Sequence, residues 1–388
     1  MDGQKGPEIE YLKECDMGLH LIPDNLNINF TGARRFFYGA SALIFIVCIA
    51  ALIVSGGPKY GIDFAGGTVA HLKFSQPVAA DTLKTALEGL NQPGLVVQGF
   101  EDDDGLSYLV RVSDTTTPSP ELRASITSTL KEKLPGNAMS IERLESVGPK
   151  VGADLRSKAV EAMYYAVLLI AIYISGRFER RWFVAAAMAG GLAGSMYLLG
   201  LLGVPKSVLV LLATLVTVGL CWWLRLVYAL GSLVSILHDV LITIGVFALM
   251  GKEFDLTIIA ALLTVLGYSL NDTIIVYDRI RENLQARKDG KLSDLINRSI
   301  NQTLSRTMLT SLTTLVVITS LLLFGGGIIH DFALVMFIGV LVGTYSSIFV
   351  ASPILLLFGD TVIAQAEAAR LEREEAAKKE RNRARALT

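Results

Sequence analysis

Long apolar stretches separated by short polar segments dominate this 388-residue chain. A helix needs about 20 apolar residues to cross a hydrocarbon layer of about 30 Å. Apolar windows and their polar flanks predict eight such spans, at about 37–56, 159–175, 183–203, 207–224, 227–250, 257–277, 308–324 and 332–358. The pattern therefore predicts a polytopic α-helical membrane protein with about eight transmembrane helices.

Residues 57–157, between the first two spans, follow a different pattern in which strand-like alternation and helix-like spacing succeed each other. The predicted order is a strand at 68–74, a helix at 79–90, strands at 95–101 and 106–113, a helix at 121–134 and a strand at 140–147. The turn 102–105, Asp-Asp-Asp-Gly, joins the two central strands. A β-α-β-β-α-β order is the ferredoxin-like unit, so we expect one α+β domain outside the membrane.

Basic residues indicate which side of the membrane faces the cytoplasm. Eight spans place five basic sites together, the segments 1–36, 177–181, 279–306 and 359–388 and the single residue Arg225. By the positive-inside rule that side is cytoplasmic, with both termini there and 57–157 in the periplasm. The loop at 279–306 has helical spacing of apolar residues and is expected to be an amphipathic helix along the interface. The charged tail favours contact with anionic membrane lipid.

Composition narrows the possible functions. Hydrophobic residues make up 52% of the chain. The mean hydropathy is +0.50, too apolar for a soluble protein. Its three cysteines, Cys15, Cys48 and Cys221, lack metal-ligand spacing. Because no phosphate-binding loop or nucleophile motif occurs, we expect no metal, no cofactor, no nucleic-acid partner and no enzyme activity. Energy for a membrane process would then come from an ion gradient or a partner.

Asp272 is the clearest candidate functional residue because it lies inside the predicted span 257–277. An ionisable group there costs several kcal/mol unless it is paired, hydrated or protonated. Apolar surroundings favour the neutral form of a carboxyl group, which makes Asp272 a candidate for reversible protonation. The alternative is a carboxylate that reaches the interface or caps a neighbouring helix.

Arg306 and Asp239 are two further candidates for the same proton relay. Arg306 lies just before the span 308–324, at the start of that hydrophobic run, and a guanidinium facing Asp272 would favour the ionised carboxylate. The alternative for Arg306 is an anchor at a cytoplasmic helix end. Asp239 follows His238 inside the span 227–250, where the histidine is a candidate hydrogen-bond partner.

Six signature stretches are spread in order over nearly the whole chain. They are GIDFAGG at 61–67, VGP at 147–149, HDVLI at 238–242, GYSLNDTIIVYDRIREN at 267–283, TLSRT at 303–307 and VAS at 350–352. Together they resemble the SecF family of the bacterial export machinery. The stretch at 267–283 is the most specific of the six.

The resemblance implies a subunit of the SecD–SecF complex, built like the resistance-nodulation-division (RND) transporters, in the inner membrane of a bacterium. Its implied partners are SecD, the SecYEG channel, the SecA motor and an unfolded secretory polypeptide, and its implied energy source is the proton motive force. Asp272 and Arg306 fall on the family's intramembrane aspartate and arginine.

The chain departs from that resemblance at 183–224, where two extra spans are inserted into a six-helix pattern. Two spans preserve the sidedness of everything downstream, but the sequence gives no function for them. Two alternative functions stay open: one half of a proton-coupled small-molecule exporter of the RND type, and a membrane scaffold whose buried charges only orient helices.

Overall fold

The structure is a computed structural model that describes residues 27–90, 94–100, 107–113, 119–286 and 290–387. Its elements in chain order are α1 (Phe30–Val54), β1 (Lys59–Tyr60), α2 (Ile62–Ala65), β2 (Gly67–Phe74), α3 (Ala80–Glu88), β3 (Val96–Phe100), β4 (Ser107–Val112), α4 (Ser119–Lys133), β5 (Met139–Val147), α5 (Pro149–Glu179), α6 (Trp182–Leu201), α7 (Lys206–Trp223), α8 (Val227–Leu249), β6 (Glu253–Phe254), α9 (Leu256–Ala286), α10 (Leu292–Phe324), α11 (Gly326–Ser346), a π-helix (Ser347–Ala351), α12 (Ser352–Ile354), a 3₁₀-helix (Leu355–Phe358) and α13 (Gly359–Leu387).

Seven helical stretches of the described chain are long and apolar enough to cross a membrane. They are α1, α5, α6, α8, α9, α10 and the helical run Ile329–Arg383, which begins within α11. The eighth predicted span, 207–224, corresponds to α7, whose apolar part Val208–Trp223 is shorter than the other seven. The expected polytopic helical architecture is confirmed.

The sheet domain has the predicted ferredoxin-like order of elements. Its four strands are antiparallel in the order β3-β4-β2-β5, and α3 and α4 contribute to a core of its own. The largest fully buried side chains of that core include Phe74, Leu83 and Ile126. The predicted turn 102–105 lies outside the described residues. A second sheet pairs β1 with β6 in parallel.

The segment 279–306 differs from the expected interfacial helix. Residues up to Ala286 continue α9, and residues from Leu292 onward belong to α10. The physical reason is burial, because Ile280, Ile296 and Ile300 are fully enclosed in the bundle core instead of facing lipid. The predicted span 159–175 likewise lies inside a longer helix, α5, which begins at Pro149. Proline is tolerated at the first position of a helix because the backbone N–H there has no partner within the helix.

The inserted pair, α6 and α7, is flanked by two residues in the left-handed region, Arg180 (φ 56°) and Arg225 (φ 54°). The helices on either side meet directly across the insertion. A carboxylate oxygen of Glu179, at the end of α5, accepts a hydrogen bond of 2.9 Å from the backbone N–H of Tyr228 in the first turn of α8. The insertion therefore leaves α5 and α8 in contact, while buried side chains of α6 and α7, such as Leu192 and Leu209, pack into the same core.

Candidate functional site

Asp239 is held at the centre of a buried hydrogen-bond cluster and is 1% exposed. One carboxylate oxygen accepts hydrogen bonds from the hydroxyls of Ser269, at 2.5 Å, and Ser346, at 2.7 Å. The other oxygen lies 2.9 Å from Nδ1 of His238. Ser235 donates to Ser346 at 2.9 Å. The cluster therefore joins α8, α9 and α11 through one carboxylate.

A chain of polar atoms extends this cluster to α1. Nε2 of His238 lies 3.1 Å from the hydroxyl of Ser41, which lies 2.8 Å from the hydroxyl of Tyr345. The Tyr345 hydroxyl donates to the carbonyl oxygen of Phe37 at 2.9 Å. The expected pairing of His238 with Asp239 is present, and the histidine connects the carboxylate to a second helix.

Asp272 is fully buried on α9, one turn beyond Ser269. Its Oδ2 accepts a long hydrogen bond of 3.4 Å from Ser311 of α10, whose hydroxyl lies 2.7 Å from that of Thr344 on α11. Its Oδ1 has no hydrogen-bond partner within the part of the chain that the structure describes. Asp272 is thus the less satisfied of the two buried carboxyl groups.

Arg306 does not contact Asp272 in the way that the sequence suggested. It is exposed, and among the described residues no ion pair joins it to Asp272. The structure therefore places Asp239 and Asp272 in adjoining clusters and leaves Arg306 at their edge.

Close packing of α11 on α9 creates these clusters. A Cβ atom on Gly339 would lie 2.3 Å from a Val265 methyl, and one on Gly343 would lie 2.9 Å from Cβ of Ser269. Small residues allow membrane helices to approach closely, which is the packing role that glycine spacing indicates. Ser269 of α9 already donates to Asp239 of α8, so this close approach places Ser346 of α11 within hydrogen-bond distance of the same carboxylate.

Several hydroxyl side chains that complete the two clusters are not evident from the sequence. Ser41, Ser311, Thr344 and Tyr345 lie on three different helices, and their convergence depends on tertiary packing. The available signal was polarity within apolar spans, since hydroxyl groups in lipid-embedded helices usually hydrogen-bond between helices.

The arrangement suits reversible protonation better than metal binding. Two buried carboxyl groups without a buried cation are stable only if they are protonated or hydrogen-bonded. Among the described residues no group of three or more His, Cys, Asp or Glu side chains converges as metal ligands would. Hydroxyl groups contact both carboxyl groups, with His238 as a further partner of Asp239, and these hydroxyls can donate to an ionised form or accept from a protonated form.

Sequence comparison finds matches to two family descriptions. "Protein export membrane protein SecD/SecF, C-terminal" matches residues 126–202 and 199–361, and "SecD/SecF GG Motif" matches 51–78. The chain is 37% identical over 342 residues to "Protein translocase subunit SecF" of Calditerrivibrio nitroreducens, covering 87% of this chain and 96% of that relative. It is 35% identical over 329 residues to the protein of the same name from Escherichia coli O157:H7, covering 84% and 87% of the two chains.

Two solved structures share the fold. SecDF from Thermus thermophilus, described as a translocon-associated membrane protein, superposes with a TM-score of 0.68 at 32% identity over 88% of this chain. SecDF in a super-membrane-facing form gives a TM-score of 0.54 at 33% identity over 91%. This chain spans 40% of each of those longer chains.

Proposed function

We propose that Asp272 couples protein export to the proton gradient in this chain, which belongs to the SecF family of protein translocase subunits and serves protein export in the inner membrane of a bacterium. It works without covalent catalysis and without a cofactor. Asp239 and Arg306 assist the proton exchange, the first through its hydroxyl cluster and the second through its charge.

The proposed assembly contains a SecD partner, the SecYEG channel and the SecA motor, with an unfolded secretory polypeptide as the substrate. The support for SecD is that the solved relatives are SecDF chains of which this chain matches 40%. The remaining part of such a chain would correspond to the SecD partner. Both termini of this chain lie in the cytoplasm, and the sheet domain lies in the periplasm.

The burial and sparse hydrogen bonding of Asp272 support this proposal. Its side chain lies on a membrane-spanning helix and is fully buried, and one carboxyl oxygen lacks a hydrogen-bond partner among the described residues. A buried carboxyl group held by a single long hydrogen bond can exchange a proton with less rearrangement than one held by several short bonds. Asp239, with three partners, is more suited to fixing the helices around that exchange.

The test replaces Asp272 with Asn, which preserves the shape of the side chain and removes its titration. We expect export stimulated by the proton gradient to be lost in inverted membrane vesicles, while the chain still inserts into the membrane. The matched control is Asp278→Asn on the same helix, where the carboxylate pairs with Arg177 at 3.0 Å on the exposed end. Normal stimulation of export by the proton gradient in Asp272→Asn would contradict the proposal.

The two alternative functions make different predictions. An exporter half would confer resistance to small molecules without any dependence on secretory polypeptides. A scaffold would tolerate Asp272→Asn as well as it tolerates Asp278→Asn, because only helix orientation would matter.

A further inference from the structure

The sheet domain is attached directly to the outer end of α9, the helix that carries Asp272. Oδ2 of Asp63 accepts a hydrogen bond of 3.0 Å from the backbone N–H of Leu256, the first residue of α9. The N–H of Gly61 donates to the carbonyl oxygen of Phe254 at 2.7 Å, which extends the parallel pairing of β1 with β6. A side chain that accepts from a helix N-terminus fixes the start of that helix.

Arg111 ties the sheet itself to the same place. It lies on β4, opposite Val69 of β2, and its side chain is 12% exposed. One guanidinium nitrogen donates to the carbonyl oxygen of Tyr60 at 2.6 Å, and the other forms an ion pair with Glu253 of β6. An arginine that uses both nitrogens holds its partners in one geometry. We call the contacts made by Asp63 and Arg111 with residues 253–256 the outer clamp.

Buried side chains make the outer clamp stiff. Phe64 is 4% exposed and belongs to the bundle core that contains Phe254 and Ile258. Gly66 has φ 79° and Gly67 has φ 129°, and added Cβ atoms would lie 2.9 Å from Cα of Pro149 and 2.7 Å from the carbonyl oxygen of Val112. The connection therefore has little room to bend where the sheet begins.

The helix beyond the clamp is continuous. α9 runs from Leu256 to Ala286, and Asp272 lies 16 residues along it, or about 24 Å at the rise of an α-helix. A displacement of this helix near Asp272 therefore reaches its outer end, where Asp63 and Arg111 are attached.

We propose that the outer clamp makes the sheet domain and α9 move as one body, so that a shift of α9 on proton exchange is delivered to the domain outside the membrane. This inference rests on the proposed function of Asp272. Asp63 and Arg111 are positioning residues in this scheme, since they hold the domain on the helix and take no part in proton exchange.

The first experiment breaks the clamp with Arg111→Ala and Asp63→Ala in the chain co-assembled with its SecD partner. We expect a several-fold loss of gradient-stimulated export in inverted membrane vesicles while gradient-driven proton efflux from the vesicles persists. The matched control is Asp331→Ala, which removes an ion pair of 2.6 Å with Lys252 at the same outer end but not to the sheet domain. The paired exchange Arg111→Glu with Glu253→Arg should restore part of the stimulation. Full export in the clamp variants, or equal loss of export and proton efflux, would overturn the proposal.

A second experiment does not depend on proton coupling. Spin labels at Lys84→Cys on α3 and Leu256→Cys on α9 report the distance between the domain and the helix, with Cys15, Cys48 and Cys221 replaced. We expect the same narrow distance distribution with Asp272 and with Asn at that position, and a broad one after Arg111→Ala. A distribution that changes with the Asp272 substitution would show that domain and helix separate, and would contradict the clamp even if Asp272 is essential.

Discussion

Asp239 and Asp272 share a membrane interior, but their surroundings give them different tasks. Asp239 accepts from two hydroxyls at 2.7 Å or less and has His238 on its other oxygen. Within the described chain, Asp272 has one hydrogen bond, at 3.4 Å. Removing a partner from a buried polar network leaves donors unsatisfied, whereas removing a poorly held group costs less. Stability should therefore depend on Asp239 more than on Asp272.

Asp239→Ala should lower the free energy of unfolding by about 1–3 kcal/mol, the usual cost of leaving buried donors without an acceptor. Asp239→Asn should lose less, because its amide oxygen can still accept from Ser269 or Ser346. The measurement is reversible unfolding of the purified chain in mixed micelles, with Asp272→Ala for comparison. Equal stability of the two alanine variants would contradict the assigned roles.

At the scale of elements, glycines decide how closely α11 approaches α9. Gly339 and Gly343 face Val265 and Ser269 at distances that leave no space for a Cβ atom. Gly190 of α6, by contrast, has no atom within 4 Å of an added Cβ. The same residue type therefore has a packing role in one helix and open space around it in another.

Gly343→Ala should destabilise the bundle by about 1–3 kcal/mol, as overpacking usually does, and should move Ser269 away from Asp239. Gly190→Ala is the control and should change stability little. Thermal unfolding in detergent compares the two variants, and export activity should decline with Gly343→Ala only. A Gly343→Ala protein as stable as the parent would mean that the helices separate readily here.

Periodicity predicted the elements well and their contacts poorly. The strands of the sheet domain lie close to their predicted positions because alternation is a local property. The continuation of α9 to Ala286 was missed because the charges of 279–286 suggested an interface, while burial of Ile280 needs the neighbouring helices. Asp272 could be predicted because a charged residue inside an apolar span is evident from the sequence alone. Its partner Ser311, and Thr344 that contacts Ser311, could not be predicted, since three helices bring these side chains together.

At the scale of the whole molecule, the orientation in the membrane determines what the sheet domain can reach. The outer clamp and the sheet domain lie at one end of the bundle, and the Arg177–Asp278 ion pair lies at the other. The proposed orientation places the first end in the periplasm, where an emerging polypeptide arrives, and the second in the cytoplasm.

A membrane-impermeant maleimide tests that orientation in a variant without the natural cysteines. Lys131→Cys on α4 should react in cells with a permeable outer membrane, because the sheet domain faces the periplasm. Glu282→Cys, at the exposed end of α9, should react only after the inner membrane is opened. The reverse pattern of labelling would place the sheet domain in the cytoplasm and contradict the proposed topology.

If Asp272 exchanges protons to drive export, proton flow during translocation must depend on its carboxyl group. Proteoliposomes containing the chain with its SecD partner, SecYEG, SecA and an internal pH-sensitive dye are given an acidic interior while a secretory polypeptide is translocated into them. We expect gradient-dependent proton efflux with the parent chain and with Asp278→Asn, and none above the lipid background with Asp272→Asn. Proton efflux with Asp272→Asn equal to that of the parent would contradict proton exchange at Asp272.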